Sequence, residues 1–592
     1  MTYTPPLRDM DFVMSELLGL DELLTIERFS HVTRADVSGL LAEAGRFNAE
    51  VIAPLNRTGD EVGSVVDAEG NVTTPPGFAA AYTRYCEAGW PGIQFDPEYG
   101  GGGLPWLVGI ANQELTVSSN MAFSLCPMLT QGAIEALSLH GSDEQKATYL
   151  EAMITGRWSG TMNLTESEAG SDVGALRARA VPNDDGTWSI TGTKIFITWG
   201  DHDMAENIVH LVLARTPDAP VGTRGISLFL VPKFLVEPDG SPGRRNDVRC
   251  VSLEHKVGIH ASPTAVMAFG EQGGATGYLI GGVNRGMAAM FTMMNNARLT
   301  VGLEGLAVSE RAYQMAAGYA QERRQGRAVG SDPSRPSPIV EHPDVRRMLM
   351  TMRSSIEAMR CLLYLNARSI DEAAAFDDAT ARQHASELVA LLTPLSKAWS
   401  TDLGVELTSL AMQVYGGMGY VEETGVAQHW RDSRIAPIYE GTNGIQAIDL
   451  VMRKLPMRDG GVVKDLFGEM SGTAVELSRA GFEDLAEMLR SGLDVTTGAT
   501  DWLLAAELND RLAGATPYLR MLGTLVGAWL MARSALVADQ RLTTGAADKQ
   551  FYEAKIATAT YFVTQVLPSV SGLVASVEAG ADALMAIPSD AL

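Results

Sequence analysis

Cysteine is scarce in this chain: four in 592 residues, Cys86, Cys126, Cys250 and Cys361, far apart and without a C-x-x-C pair. That excludes a disulfide framework and fits a reducing, cytoplasmic setting. Basic side chains are also short, with 46 Lys and Arg against 71 Asp and Glu and a formal net charge of −25. That argues against a general affinity for nucleic acid or anionic membranes, while leaving room for a local basic pocket. No long hydrophobic run exists. The most apolar stretch, Met521–Ala532 between Arg520 and Arg533, is too short to cross a bilayer, so it is expected to be a buried helix and no transmembrane segment is expected. The N-terminus has Arg8, Asp9 and Asp11 where a secretory signal needs an apolar core. There is no G-x-S-x-G elbow and no P-loop. Cys250, His255 and His260 fit no zinc spacing, so no metal site is expected. The run Gly100-Gly101-Gly102-Gly103 follows no strand–turn–helix pattern and reads as a loop.

What is present is a globular balance, 46% hydrophobic and 20% charged, in a chain too long for one core. The fold class expected is α+β and mainly helical. Residues 1–35 read as an N-terminal extension and 36–160 as a helical domain. Residues 161–282 change character: Trp188–Thr191, Lys194–Thr198, Ile208–Ala214, Gly225–Val231 and Ala265–Phe269 are short, β-branched or aromatic, and punctuated by Gly, Pro, Asn and Asp. With no long helical pattern between them, they predict an antiparallel β domain. Helical periodicity returns over 283–458, where Met287, Met290, Met293 and Met294 read as core packing. Ser331–Pro338 reads as a surface loop. Gly460-Gly461 marks a boundary before a further helical domain, 459–592. A sheet domain between helical domains leaves a cleft, and such clefts are favoured ligand sites.

One carboxylate stands out. Glu440 follows the apolar stretch Ile435–Tyr439 and precedes Gly441. Asn443 and Gln446 have the spacing of an N-cap and its partner, and Ile445, Ile448, Met452 and Leu455 recur at helical intervals. Glu440 therefore sits on irregular backbone just ahead of a helix, where apolar surroundings can raise a carboxyl into the range of a base at neutral pH. A capping or exposed glutamate is the plain alternative. Two further segments weigh against it. In Met162–Val173, Thr165 and Ser171 are small hydroxyl donors and Gly170 permits close approach. In Lys194–Gly200, strand alternation puts Phe196 and Thr198 on one face, an aromatic and a hydroxyl suited to a flat heteroaromatic ring.

Together with Tyr439-Glu440-Gly441-Thr442, these segments resemble the acyl-CoA dehydrogenase family over roughly residues 80–456. The family has a helical–β–helical fold, binds FAD and often carries Thr-Glu-Pro-x-x-Gly-Ser-Asp; here Ser167 replaces the proline and Glu168 the glycine usual at the next position, while Gly170, Ser171 and Asp172 match. The resemblance implies Glu440 as the proton-abstracting base and Arg298 beside it. It implies Leu164 and Thr165 at the flavin pyrimidine edge, Phe196 against the isoalloxazine ring and Thr198 near N5. Ser171 would meet the CoA portion, with Tyr439 and Arg298 also on the substrate side. Arg323, Gln413 and Gly417 would meet FAD across a subunit interface, and Thr442 its adenosine and pyrophosphate portion; shared sites of this kind imply a homodimer. Phe196 stands where many members have Trp, Trp199 where Asn is common, and Gln325-Gly326 where Thr-Phe is usual.

The C-terminal region with Phe551–Ala557, the segment His342–Arg347 and the N-terminal Leu7–Phe12 resemble the long bacterial branch that includes 3-methylmercaptopropionyl-CoA dehydrogenases, enzymes of dimethylsulfoniopropionate breakdown. That branch also holds enzymes for ordinary fatty acyl-CoA. The implied reaction is α,β-dehydrogenation of an acyl-CoA to a trans-2-enoyl-CoA, with electron transfer flavoprotein as the electron acceptor. An acyl-CoA oxidase, a flavin-bearing nucleic-acid-binding relative and a silent scaffold stay as alternatives.

Overall fold

The computed structural model describes residues 3–332 and 334–592. Helices dominate, and side-chain caps fix where the two central ones start. Helix α1 (Trp106–Ser119) starts where the buried Asp371 accepts from the amides of Trp106 at 2.7 Å and Leu107 at 3.0 Å. Helix α2 (Met121–His140) starts where the Asn120 side chain accepts from the Phe123 amide. Both are buried on nearly every face, as expected of helices at the centre of a large protein.

An eight-stranded sheet follows. Its strands are β1 (Trp158–Asn163), β2 (Arg179–Pro182), β3 (Trp188–Thr198), β4 (Asn207–Ala214), β5 (Ser227–Pro232), β6 (Val248–Leu253), β7 (Thr264–Phe269) and β8 (Ala275–Ile280). The spatial order is β6-β7-β3-β8-β5-β4-β1, with β2 also on β3. The sheet is antiparallel as expected apart from one pair: β1 runs parallel to β4. Its residues Ser159, Gly160, Thr161 and Asn163 are buried, so it shows none of the alternation that marks a half-exposed strand. Trp188–Thr191 and Lys194–Thr198 are also one strand, β3, continuous through Gly192.

Three long helices form the next body: α3 (Gly286–Glu322), α4 (Pro343–Ala375) and α5 (Ala379–Tyr415). The contact of α3 with α5 depends on glycine. A Cβ on Gly302 would lie 2.2 Å from the Ser396 carbonyl oxygen, and one on Gly305 2.2 Å from that of Ser400. With hydrogen there instead, the two backbones touch and their intervening side chains are forced into shared, dry space. Met290 and Met293 are fully buried on α3.

At Gly460-Gly461 the helical backbone breaks, with Arg458 and Asp459 left-handed before a new helix begins at Gly461. Met521–Ala532 lies inside Ala515–Thr543, whose apolar window is 83% buried in protein. A second apolar stretch, Lys549–Glu578, is tied down by charge: the Lys555 ammonium meets Asp9 at 2.5 Å and Glu357 at 3.2 Å. Arg8 and Tyr552 both reach Glu16. Residues 8–16 thus pack on the last helices.

Candidate active site

Glu440 lies on the turn between Ser433 and helix α6 (Asn443–Asp449). The turn closes on itself, with the Asn443 amide donating to the Pro437 carbonyl at 3.0 Å. At its apex Glu440 has φ +54° and Gly441 φ +85°. A glutamate in the left-handed region costs about 1–3 kcal/mol, and such strain gathers at functional sites. Gly441 has no substitute here, because a Cβ would fall 2.7 Å from the buried Gln446 amide nitrogen.

The cap of α6 differs from the expectation. Thr442, not Asn443, caps it: the Thr442 hydroxyl oxygen accepts from the Ile445 amide at 3.2 Å. Asn443 turns to α5 instead. Its Oδ1 accepts from Lys397 Nζ at 2.8 Å, and its Nδ2 donates to the Ala398 carbonyl at 3.1 Å and to Asp402 Oδ1 at 2.7 Å. A side chain bound to a neighbouring helix cannot also cap its own.

Around the half-buried Glu440 the groups are buried and unevenly paired. Burial pushes its carboxyl up to about 7, against the pull of Lys397 and Arg298. Glu304 on α3 is pushed up to about 8 by burial while accepting at both oxygens from the Tyr439 hydroxyl at 2.6 Å. Lys397 is brought down to about 8 by burial, opposed by Glu304, Glu440 and Asp402. Arg298 sits beside Gly441, 6% exposed, 3.9 Å from Asp449 and 3.4 Å from Asn295 Oδ1. Its Nε is buried without a hydrogen-bond partner among the described residues. A cavity of about 360 Å³ opens beside Arg298, lined among others by Trp106, Glu135, Asn296, Val389 and Asp449. Burial holds Glu135 up to about 7 there. Glu304, Lys397 and Glu135 had no sequence signal; a polar side chain inside a helix looks alike whether it faces water or a sealed interior.

A second group of residues meets at β3. The register of β3 on β7 slips between Lys194 and Ile197, so β3 carries one extra residue there. Phe196 occupies this bulge with φ +58° and is 58% exposed. Its exposure therefore comes from the bulge and not from simple alternation. The Ile195 amide donates to the Thr165 carbonyl at 2.9 Å, and buried Lys194 donates to the Leu164 carbonyl at 2.9 Å and Glu166 at 2.8 Å. Glu166 also accepts from the amides of Arg177 and Ala178. Leu164 and Thr165 are in this way fixed next to Phe196, with half-buried Thr198 two residues on. Ser171 lies exposed farther along the same loop.

Arg323, Gln413 and Gly417 belong to neither group. Arg323 ends α3, 25 residues beyond Arg298, or about 37 Å at 1.5 Å per residue. Gln413 and Gly417, both exposed, lie at the matching end of α5. The two helix ends are joined by Tyr319 stacked on Tyr415 at 4.1 Å between ring centroids.

Family models match the chain from residue 38 onward. The N-terminal domain of acyl-CoA dehydrogenase matches 38–157, its middle domain 161–271 and its C-terminal domain 284–455. An acetyl-CoA dehydrogenase C-terminal-like domain matches 466–588. The 3-methylmercaptopropionyl-CoA dehydrogenase of Ruegeria pomeroyi is 48% identical over 96% of this chain and 97% of its own length. A butyryl-CoA dehydrogenase of Syntrophomonas wolfei is 35% identical over 100% of this chain and 99% of its own. Among solved structures, Caenorhabditis elegans ACDH-11 in complex with C11-CoA shares the fold, with a TM-score of 0.76 and 21% identity over 96% of this chain and 92% of that one. With three family domains in sequence and the Glu440 turn inside the third, the chain belongs to the acyl-CoA dehydrogenase family of oxidoreductases.

Proposed function

We propose that this protein oxidises a short-to-medium acyl-CoA thioester, 3-methylmercaptopropionyl-CoA among them, to the trans-2-enoyl-CoA, with FAD as cofactor and Glu440 as the base. The observation that carries this reading is the Glu440 turn: a strained, recessed carboxylate poised near 7. A base of that strength is about half ionised at neutral pH and can take a proton from carbon acidified by a thioester carbonyl.

The residues at β3 fit a flavin. An exposed aromatic ring held out by a bulge, with hydroxyls at Thr165 and Thr198 beside it, suits a flat ring system with a hydrogen-bonding edge. Leu164, Thr165, Phe196 and Thr198 would hold that ring, and Thr442 the far portion of the cofactor. When bound, FAD supplies the acceptor for the β-hydrogen, leaving as hydride. Glu440 takes the α-proton at its carboxylate. Its backbone N–H is the donor to the thioester oxygen, an oxyanion-type contact. Arg298 orients the carboxylate, Tyr439 closes the turn against water, and Ser171 meets the CoA portion.

Arg323, Gln413 and Gly417 are too far along α3 and α5 to serve the same flavin. That distance supports a homodimer in which they meet the cofactor of a second subunit. Electron transfer flavoprotein is the acceptor for the reduced enzyme. The four free cysteines support a cytoplasmic setting.

The test is anaerobic flavin bleaching with 3-methylmercaptopropionyl-, butyryl-, octanoyl- and palmitoyl-CoA. The first two are expected to bleach fastest. Preference for palmitoyl-CoA would overturn the short-chain reading, and parity of the first two would remove the sulfur-specific role. Peroxide release in air at the rate of turnover would make the protein an oxidase instead.

A further inference from the structure

Behind Glu440 lies a buried lysine that the reaction just described does not use. Lys397 on α5 has no solvent exposure, yet its Nζ is held by a neutral amide, Asn443 Oδ1 at 2.8 Å. Among the described residues no carboxylate stands within ion-pair distance of it. Sealing an ammonium away from water costs several kcal/mol unless nearby charge compensates. The compensation must come from carboxylates one layer away. Glu440, Glu304 and Asp402 are those groups.

We propose that Lys397, acting through Asn443, is a positioning residue for Glu440. This rests on the assignment of Glu440 as the base. Asn443 is the joint. Its amide nitrogen closes the turn onto Pro437, while its side chain bolts the turn to Lys397, Thr401 and Asp402 of α5. A rigid turn fixes where the carboxylate stands, and the lysine charge behind it favours the ionised form. The other charged and titratable groups facing the turn are accounted for. From α3 come Arg298, which also favours the carboxylate, and Glu304, which burial raises to about 8 and so leaves largely protonated where Glu440 titrates. From α5 comes Asp402, itself balanced by Arg520 and pressed by Glu406. From α6 comes Asp449, paired with Arg298 and Arg453.

The sign follows. Removing the lysine charge weakens the carboxylate form of Glu440, so the pH at which Glu440 ionises must rise. The experiment is an infrared pH titration of the Glu440 carboxyl in the oxidised holoenzyme without substrate, identified by difference against Glu440→Gln. The acidic limb of anaerobic flavin reduction by butyryl-CoA is followed in parallel. Lys397→Met is expected to move both midpoints up by about one pH unit, roughly tenfold in the protonation equilibrium. Asn443→Asp places a carboxylate against Lys397 and is expected to move them the same way; it carries the test alone if Lys397→Met does not fold. Midpoints unchanged in the folded variants would overturn the proposal, even if thermal stability fell. Should Glu440→Gln bleach like the parent, the base assignment fails, while the infrared midpoints still report on Lys397.

Discussion

Helix α3 carries two buried charge clusters, and they are built oppositely. At Glu310, the guanidinium of Arg360 donates to Glu114 at 2.7 Å and 3.0 Å and to Glu310 at 2.9 Å, and Tyr364 closes on Glu114 at 2.7 Å. Nε and Nη2 of Arg360 both meet carboxyl oxygens there, and Arg360 is held well above its ordinary range even though burial opposes it. Six residues earlier, about 9 Å along the helix, the cluster at Glu304 is underpaired. Two carboxyls are raised by burial, a lysine is lowered by it, and Arg298 keeps an unbonded Nε. The first cluster has used up its charge in holding helices together. The second keeps groups near neutrality, where small changes move protons.

The comparison can be broken at either end, and the largest expected effect is at the saturated cluster. Arg360→Met leaves Glu114 and Glu310 buried without their partner and should cost about 3–5 kcal/mol, read as a lower urea midpoint by circular dichroism. A loss below about 1 kcal/mol would mean that this cluster, too, is loosely held.

Glu304→Gln sharpens the other end through pH. Burial raises Glu304 from 4.5 to about 8 in the folded chain. Between those values the folded state binds more proton than the unfolded, so this group's contribution to stability is present at acid pH and is lost as pH rises toward 8. The variant should lack that loss, by up to about 1.4 kcal/mol per pH unit. Parallel stability–pH curves for parent and variant would contradict it.

Thr442→Ala removes the cap of α6 and should cost about 1 kcal/mol in thermal unfolding, with flavin released more readily on dilution. The smallest change in stability is expected for Phe196→Gly. Glycine relieves the left-handed backbone at the bulge, a gain of at most about 1 kcal/mol, yet the variant should lose flavin absorbance on gel filtration. Retention of flavin at the parental ratio would remove Phe196 from the cofactor wall.

Much of this contrast was invisible in the sequence. Glu440 was legible because its surroundings are local: an apolar stretch before it, glycine after it and a helix just beyond. The helical–β–helical order was legible from changes in periodicity. What stayed hidden depends on residues distant in sequence. Glu304 and Lys397 are 93 residues apart, and only the glycine contact of α3 with α5 brings them to one place. Strand β1 was missed because burial on both faces erases alternation. The cap was misplaced by one residue because Thr442 and Asn443 are both good caps, and only the hydrogen bonds to α5 decide between them.

If the underpaired cluster serves Glu440 as a base, turnover depends on that one carboxylate. The most direct measurement is anaerobic mixing of Glu440→Gln with the acyl-CoA that bleaches the parent fastest. A folded, yellow protein whose flavin band stays unbleached is the predicted result. Bleaching at the parental rate would contradict it and return Glu440 to an ordinary side chain ahead of a helix.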